Sequence, residues 1–320
     1  MEGVPVEEEQ LHITDLNTLN EYLSKQDNSE NSFYFSKVPE VCKTSPCILG
    51  IDEAGRGPVL GPMVYGIAFC PAKEQIQLSG LKCVDSKALT EEARDNIFEN
   101  ICTSTNFLGW AVEVISPKTI CNNMLSRTKY SLNQISMDSA IGLIKAAIEA
   151  GVNIEYIYVD TVGPPDKYQA YLSSIFPQPR ITVAKKADSI YPIVSAASIC
   201  AKVTRDHALS VWNFQEFQNE KDAIVEKFGS GYPGDPITKK FLIDHCDMVF
   251  GYPALVRFSW QTAERALASS AYHVEWEEEE EGPKPPPDNM AITSFFKMTS
   301  KSIVKPKHDF FIKRNLKNIV

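Results

Sequence analysis

Ile48 to Gly61 reads I-L-G-I-D-E-A-G-R-G-P-V-L-G, and this stretch decides the fold. Four apolar or small residues run straight into two adjacent acids, Asp52 and Glu53, and then into a glycine-rich turn centred on Arg56. A short apolar run of this kind suits a strand covered on both faces. Successive side chains on a strand point to opposite faces. The two acids therefore share one cleft only if the strand ends or bends at them, which Gly55 and Gly57 permit. Crowded carboxylates persist where a cation is supplied or a proton retained, and oxygen ligands suit Mg²⁺ or Mn²⁺ better than zinc. The plain alternative is an Asp-Glu pair on an ordinary turn, but the apolar run before it and G-R-G after it favour chemistry. Arg56, between two glycines, leaves room for a ligand and is not expected to be a buried structural arginine.

Outward from that stretch, 320 residues that are 43% hydrophobic can bury a substantial core, in one large domain or two smaller ones. The net charge of −9 is unevenly placed. Residues 1–30 carry eight acids and one base, Glu275 to Glu281 six acids, and residues 282–320 eight bases and two acids, leaving 25 acids and 23 bases in residues 31–274. A near-neutral body can own a basic groove, so the acidic total does not exclude a nucleic-acid partner. Eight cysteines form no C-x-x-C and no Cys/His cluster, which argues against a zinc site or a disulfide framework and for reduced, intracellular thiols. The N-terminus has no apolar h-region, so no signal peptide is expected. The longest apolar segment, Pro58 to Ala72, is broken by proline and glycine, so a soluble chain with no membrane partner is expected.

The composition predicts a loosely ordered acidic extension over 1–45, with one weakly amphipathic piece from Leu11 to Leu23. A catalytic α/β domain is expected over 46–214, a helical substrate- or partner-binding extension over 215–272, and a flexible tail over 273–320. In that tail Glu277 to Glu281 and Pro283 to Pro287 preclude a packed core. Within the body, Pro62 to Cys70 and Phe107 to Ile115 read as strands, with a Thr90-capped helix between them. A helical pattern runs from Ser116 to Ala150 and stops at Gly151. Strands follow at Ile154 to Val159 and Arg180 to Ala184, with a short helix from Lys167 to Phe176 between them and a long helix from Ser189 to Trp212 after them. Helices are expected at Ile237 to Cys246 and Trp260 to Ser270. Three strands followed by alternating strands and helices predict a mixed β-sheet flanked by helices.

Asp160 stands at the end of one predicted strand, and Asp188 just before the long helix. Ligand sites gather beyond strand ends of open α/β sheets, so these acids can meet Asp52 and Glu53. Three or four convergent carboxylates would hold two divalent ions about 3.5–4 Å apart, activating a water and stabilising the leaving oxygen of a phosphodiester. No histidine base is then needed, and the five histidines lie elsewhere in the sequence. Taken singly, Asp160 reads equally well as a turn aspartate and Asp188 as a helix N-cap. Ser195, Ser198, Lys202 and Arg205 recur at helical spacing as one polar stripe. Lys202, about 21 Å along a helix from Asp188, is too far to be a metal ligand; a distal backbone contact or a solvated face is expected.

D-E-A-G-R-G-P-V-L-G-P, D-S-K at 85–87, V-D-T-V-G at 159–163, K-A-D-S-I-Y-P at 186–192, S-A-A-S-I-C-A-K at 195–202 and G-S-G-Y-P at 229–233 together resemble the catalytic subunits of the eukaryotic type 2 ribonuclease H family, over about residues 46–265. The resemblance implies a ribonuclease H-like fold and hydrolysis of the RNA strand of RNA–DNA hybrids. It also implies incision on the 5′ side of single ribonucleotides in duplex DNA, in ribonucleotide excision repair and primer removal. By motif position, Asp52, Glu53, Asp160 and Asp188 would be the catalytic and metal-ligating residues for two Mg²⁺ ions, with Mn²⁺ able to substitute. Gly55, Arg56 and Gly57 would contact the ribose 2′-hydroxyl and adjoining phosphates, and Tyr232 would read the RNA-to-DNA junction. Sensing a single 2′-hydroxyl is what telling RNA from DNA requires, and small residues let the backbone approach a ribose. The other reading of Tyr232 is a ring packed under its turn. Lys87 could bind a phosphate or belong to a solvated polar loop.

The resemblance further implies a nuclear heterotrimer with two non-catalytic subunits. In the tail, Asn289 to Phe296 places Ile292 before Phe295 and Phe296, the spacing of a peptide that docks on DNA sliding clamps, with asparagine where glutamine is usual. Anchoring to the partner subunits is the favoured reading and clamp docking the other. Basic residues from Lys301 to Lys317 suit nonspecific nucleic-acid attraction or nuclear import as well as a plain solvated tail. Two rival classes are a noncatalytic hybrid-binding scaffold, disfavoured by the four carboxylates, and a DNA-only nuclease, disfavoured by G-R-G and Tyr232.

Overall fold

The computed structural model describes residues 11–81, 83, 89–128, 130–161, 163–214, 216 and 228–272. Lys87, Asn289, Ile292, Phe295, Phe296 and the charged and proline-rich stretches of the tail lie outside the described residues. In chain order the elements are α1 (Leu16–Ser24), β1 (Ser32–Phe35), α2 (Glu40–Thr44), β2 (Cys47–Ala54), β3 (Met63–Pro71), α3 (Gln75–Gly80), α4 (Glu91–Thr103), β4 (Gly109–Ile115), α5 (Pro117–Met124), α6 (Leu132–Glu149), β5 (Ile154–Asp160), α7 (Pro165–Ile175), β6 (Arg180–Ala184), α8 (Ala187–Ile190) and α9 (Pro192–Ser210), followed by helices Pro236–Asp244 and Gln261–Ser270.

The strands form one mixed sheet in the order β1-β4-β3-β2-β5-β6. β2 pairs antiparallel with β3 and parallel with β5, and β5 pairs parallel with β6. The apolar run ahead of Asp52 is thus a central strand, buried on both faces as its composition requires. α9 lies across one face of β2 and β3. It comes so close that a Cβ on Gly50 would overlap the Ile193 backbone, and one on Gly66 would stand 2.7 Å from the Ala197 carbonyl. α6 and α7 cover the opposite face through Leu143, Ile144, Ala147 and Leu172, packed on Leu49, Ile51 and Ile67. Each such buried leucine or isoleucine contributes roughly 1.5–3 kcal/mol of transfer free energy. A third cluster joins Val59, Leu60, Leu209 and Trp212 to Phe241, Leu242, Leu255 and Val256, seating the C-terminal helical segment on the loop that follows β2.

Three expectations need correction. The N-terminal region is ordered from Ile13 onward. Asp15 caps α1 in reciprocal exchange with Thr18, and Leu19 and Leu23 are buried. β1 then completes the sheet edge against β4, with the Tyr34 ring 4.9 Å from that of Trp110. The helical pattern from Ser116 to Ala150 is two helices, separated by residues 125–131, with Ser131 capping the second. The long helix expected from Ser189 is also broken. Pro192 can occupy only a first helical turn and pushes the preceding residue out of helical geometry, so Tyr191 is extended (φ −114°, ψ 112°), α8 ends and α9 starts afresh.

Candidate active site

β2 runs through both acids and ends at Ala54, so the bend comes after the pair rather than at it. Alternation then sends the two side chains to opposite faces. Asp52 is buried on the α9 face, where Ser198 hydrogen-bonds its side chain and Glu53 N donates to Oδ1 at 2.7 Å. Glu53 is half-buried on the face of α6 and α7. Asp160 closes β5 on the same face as Asp52, and its Oδ1 accepts from Ala187 N at 3.0 Å, which ties the strand end to α8. Asp188 is buried in the first turn of α8 and accepts from Ser189 N at 3.0 Å; it lies inside that helix rather than capping it. Asp52, Asp160 and Asp188 therefore belong to one side of the sheet and Glu53 to the other.

The electrostatics are those of crowded carboxylates. Burial pushes Asp52 well above the usual carboxylate range, and the negative charges of Glu53 and Asp160 push it further, against the hydrogen bonds from Ser198 and Glu53 N. A divalent cation would relieve that repulsion, and an all-carboxylate donor set suits Mg²⁺ or Mn²⁺. The donor chemistry fits such an ion. Among the described residues, however, no three His, Cys, Asp or Glu side chains stand grouped as ligands about one point.

Arg56 differs from its expectation. Its Nη1 donates to Ser136 Oγ at 2.6 Å and its Nη2 to Asn133 Oδ1, so the guanidinium is docked on the first turns of α6. The loop it belongs to is held from beneath. Arg257, fully buried, donates through Nε to Gly61 O (2.8 Å), through Nη2 to Gly55 O (2.7 Å) and through Nη1 to Arg56 O (3.2 Å). Its backbone N–H donates to Val59 O, and Trp260 Nε1 to Gly57 O at 3.0 Å. Arg205 donates to Leu60 O and Pro62 O, both at 3.3 Å. Every carbonyl from Gly55 to Pro62 except that of Pro58 is thereby engaged by three residues. Arg257 also stacks 4.8 Å over the Trp260 ring. Burial and then the neighbouring Arg205 lower its guanidinium to about 9, still charged at neutral pH.

The polar stripe on α9 is not a solvated face. Ser195, Ser198 and Arg205 are buried, and half-buried Lys202 pairs with Asp206 at 2.5 Å. Gly55 has φ +78°, and a Cβ there would overlap Arg205 Nε and Cδ, so glycine is required. The second loop docks on the first: Gly231 O accepts from Val59 N at 2.7 Å and from Leu60 N at 3.3 Å. Asp235 closes it, accepting from Ser230 and Ile237 and capping the next helix, which draws its carboxyl down to about 2. Tyr232 consequently stands 51% exposed, with its Cε1 3.5 Å from where a Cβ on Gly57 would lie. It is not packed under its turn. Sequence reasoning singled out Gly57 and Tyr232, which the structure brings together, but missed Arg257 and Trp260 and misplaced Ser198 and Arg205. A lone arginine inside the apolar run Ala254 to Phe258 was the available signal for Arg257.

A mixed sheet of this order, with acids at the ends of β2 and β5 and a docked loop pair beside them, defines a ribonuclease H-like α/β enzyme. The Ribonuclease HII family model matches residues 49–263. Curated relatives include ribonuclease H2 subunits of the A type. That of Homo sapiens is 47% identical over 300 residues, covering 92% of this chain and 97% of that protein, and that of Arabidopsis thaliana is 51% identical over 237 residues, covering 74% and 78%. Among solved structures, ribonuclease H2 from Pyrococcus horikoshii superposes with a TM-score of 0.57 at 33% identity, over 70% of this chain and 98% of that one. The chain belongs to the ribonuclease HII family, and it is a ribonuclease H, an endoribonuclease of RNA–DNA hybrids.

Proposed function

We propose that this chain, with two non-catalytic subunits, also incises duplex DNA on the 5′ side of a single embedded ribonucleotide, leaving 3′-hydroxyl and 5′-phosphate ends. The observation that carries the reading is the placement of the Tyr232 ring against Gly57, next to the acids of β2. A ribose lying on Gly55 to Gly57 would meet backbone atoms at its 2′-hydroxyl and the tyrosine ring at its neighbouring sugar. Asp52, Glu53, Asp160 and Asp188 would hold two Mg²⁺ ions, or Mn²⁺. When bound, such ions supply charge stabilisation and a water of lowered pKa. The chain's own part is to hold the acids at the sheet end, to seat the sugar against a loop fixed by Arg205, Arg257 and Trp260, and to stop the next sugar with Tyr232. Its setting would be the nucleus, in ribonucleotide excision repair and primer removal. The Ile292, Phe295 and Phe296 peptide would anchor one of the partner subunits, with a sliding clamp as the other candidate.

The test is incision of a labelled DNA duplex carrying one ribonucleotide, by this chain with and without its partner subunits in Mg²⁺, beside Asp160→Asn and Tyr232→Ala. One cut 5′ to the ribonucleotide, absent in Asp160→Asn and weakened by Tyr232→Ala more than cleavage of a long hybrid, is expected. Equal losses on both substrates would refute the junction role of Tyr232. No cut even with the subunits, but retained hybrid binding, would favour a scaffold.

A further inference from the structure

Behind β2, on the face that Glu53 occupies, two phenols lie inside the protein. Tyr65 is the direct cross-strand partner of Glu53 on β3, a relation that puts Cβ atoms about 4.5–5.5 Å apart on one face. Tyr168 reaches the same place from α7. Both side chains are buried; among the described residues the Tyr168 hydroxyl and Glu53 Oε2 have no hydrogen-bond partner, and the Tyr65 hydroxyl meets only Ser136. A buried hydroxyl left without a partner costs free energy, and phenylalanine would fill the same space without that cost, so such a group in a native fold requires an explanation. The two hydroxyls share one neighbour. After burial itself, the charge of Glu53 is what most raises each phenol. Ser136 is the next polar group beside Tyr65, and Ser136 Oγ accepts from Arg56 Nη1 at 2.6 Å.

We infer that Tyr65 and Tyr168 are positioning residues whose hydroxyls donate to the Glu53 carboxylate in its metal-binding orientation and hold it there, while Tyr65, through Ser136, links that setting to Arg56. The inference rests on the assignment of Glu53 as a metal ligand made above. It also answers the difficulty that alternation along β2 creates. Glu53 leaves the sheet on the face away from Asp52, so something on that face has to direct its carboxylate around the strand end. Neither phenol touches substrate or ion; both act through Glu53.

The experiment compares Tyr65→Phe, Tyr168→Phe and the double variant with the parent, in the full chain assembled with its subunits. Mn²⁺ affinity is read by titration calorimetry, kcat and KM on an RNA–DNA hybrid, and melting temperature without metal. Removing a hydrogen bond behind a metal ligand costs about tenfold or more in affinity or activity. A loss of that size is expected in Mn²⁺ affinity and in kcat, with KM unchanged and melting temperature equal or higher. Parent-like Mn²⁺ affinity in both single variants would overturn the inference, as would a loss of kcat that tracks a fall in melting temperature. The calorimetry decides even if the parent complex proves inactive on every substrate, an outcome that would count against the proposed function instead.

Discussion

The carboxylate end of the sheet and the loop pair beside it are made in opposite ways. Asp52 and Asp188 each accept from the very next backbone N–H, and Asp160 from Ala187 across one strand-to-helix step, although Ser198 of α9 also bonds Asp52. The loop from Gly55 to Pro62 is satisfied by Arg205, Arg257 and Trp260, as many as 203 positions away in the chain. The difference matches the two tasks of the proposed function. Chemistry needs charges crowded together, which one strand end and its neighbours achieve locally. Recognition needs a backbone held still, and a glycine-rich segment cannot hold itself still because it has no side chains to pack.

That contrast predicts divergent responses to substitution. Asp52→Asn should reduce cleavage by roughly a hundred- to a thousandfold, the scale of losing a principal electrostatic group. Its melting temperature without metal should hold or rise, because a desolvated and repelled charge is gone; a marked fall would break the comparison. Arg257→Gln should do the reverse of separating the two. Three loop carbonyls lose their side-chain donor at roughly 1 kcal/mol each, so a stability loss of about 3 kcal/mol, read by urea denaturation, should accompany lost activity. Gly55→Ala and Gly57→Ala sharpen the picture within one loop. The first forces a Cβ into Arg205 and should cost about 1–3 kcal/mol. The second meets only an ordinary contact with Tyr232, so its stability should change by less than about 0.5 kcal/mol while discrimination of ribose from deoxyribose weakens. Asp235 gives the smallest effect. Its carboxyl is depressed to about 2 from 3.8, so its contribution is present above 3.8 and lost as pH falls through about 2. Melting curves of the parent and Asp235→Asn should differ near neutrality and converge toward pH 2.

The same contrast explains what was legible beforehand. The mixed sheet, the strands bearing Asp52 and Asp160 and the helix opened by Thr90 all rest on local periodicity and capping, and they could be read. The break before Pro192 was equally local, since a residue preceding proline resists helical geometry, yet the apolar spacing on either side concealed it. α9 was misread for a different reason. Helical spacing groups Ser195, Ser198 and Arg205 on one face but does not say what that face meets, and here it meets Asp52 and loop carbonyls rather than water. A lone arginine in an apolar run marks Arg257, but what Arg257 and Trp260 bind was beyond reach, because their partners are backbone carbonyls, which every residue possesses and no side-chain pattern marks. The amphipathic piece Leu11 to Leu23 marked the opening helix, but the strand after it was hidden by an acidic composition averaged over residues that do not share one environment.

The span between Gly55 and Arg257 also has a meaning in time. A ribosome releases Asp52, Glu53 and the glycine loop early, and releases the arginine that fastens the loop some two hundred residues later. Domains tend to fold in the order they emerge, so the sheet can form around its acids while the loop still lacks its fastening. A chain truncated before Arg257 would carry every acid of the site and no fixed surface on which to lay a sugar. The fastening of the loop is thereby tied to synthesis of the segment that carries Arg257.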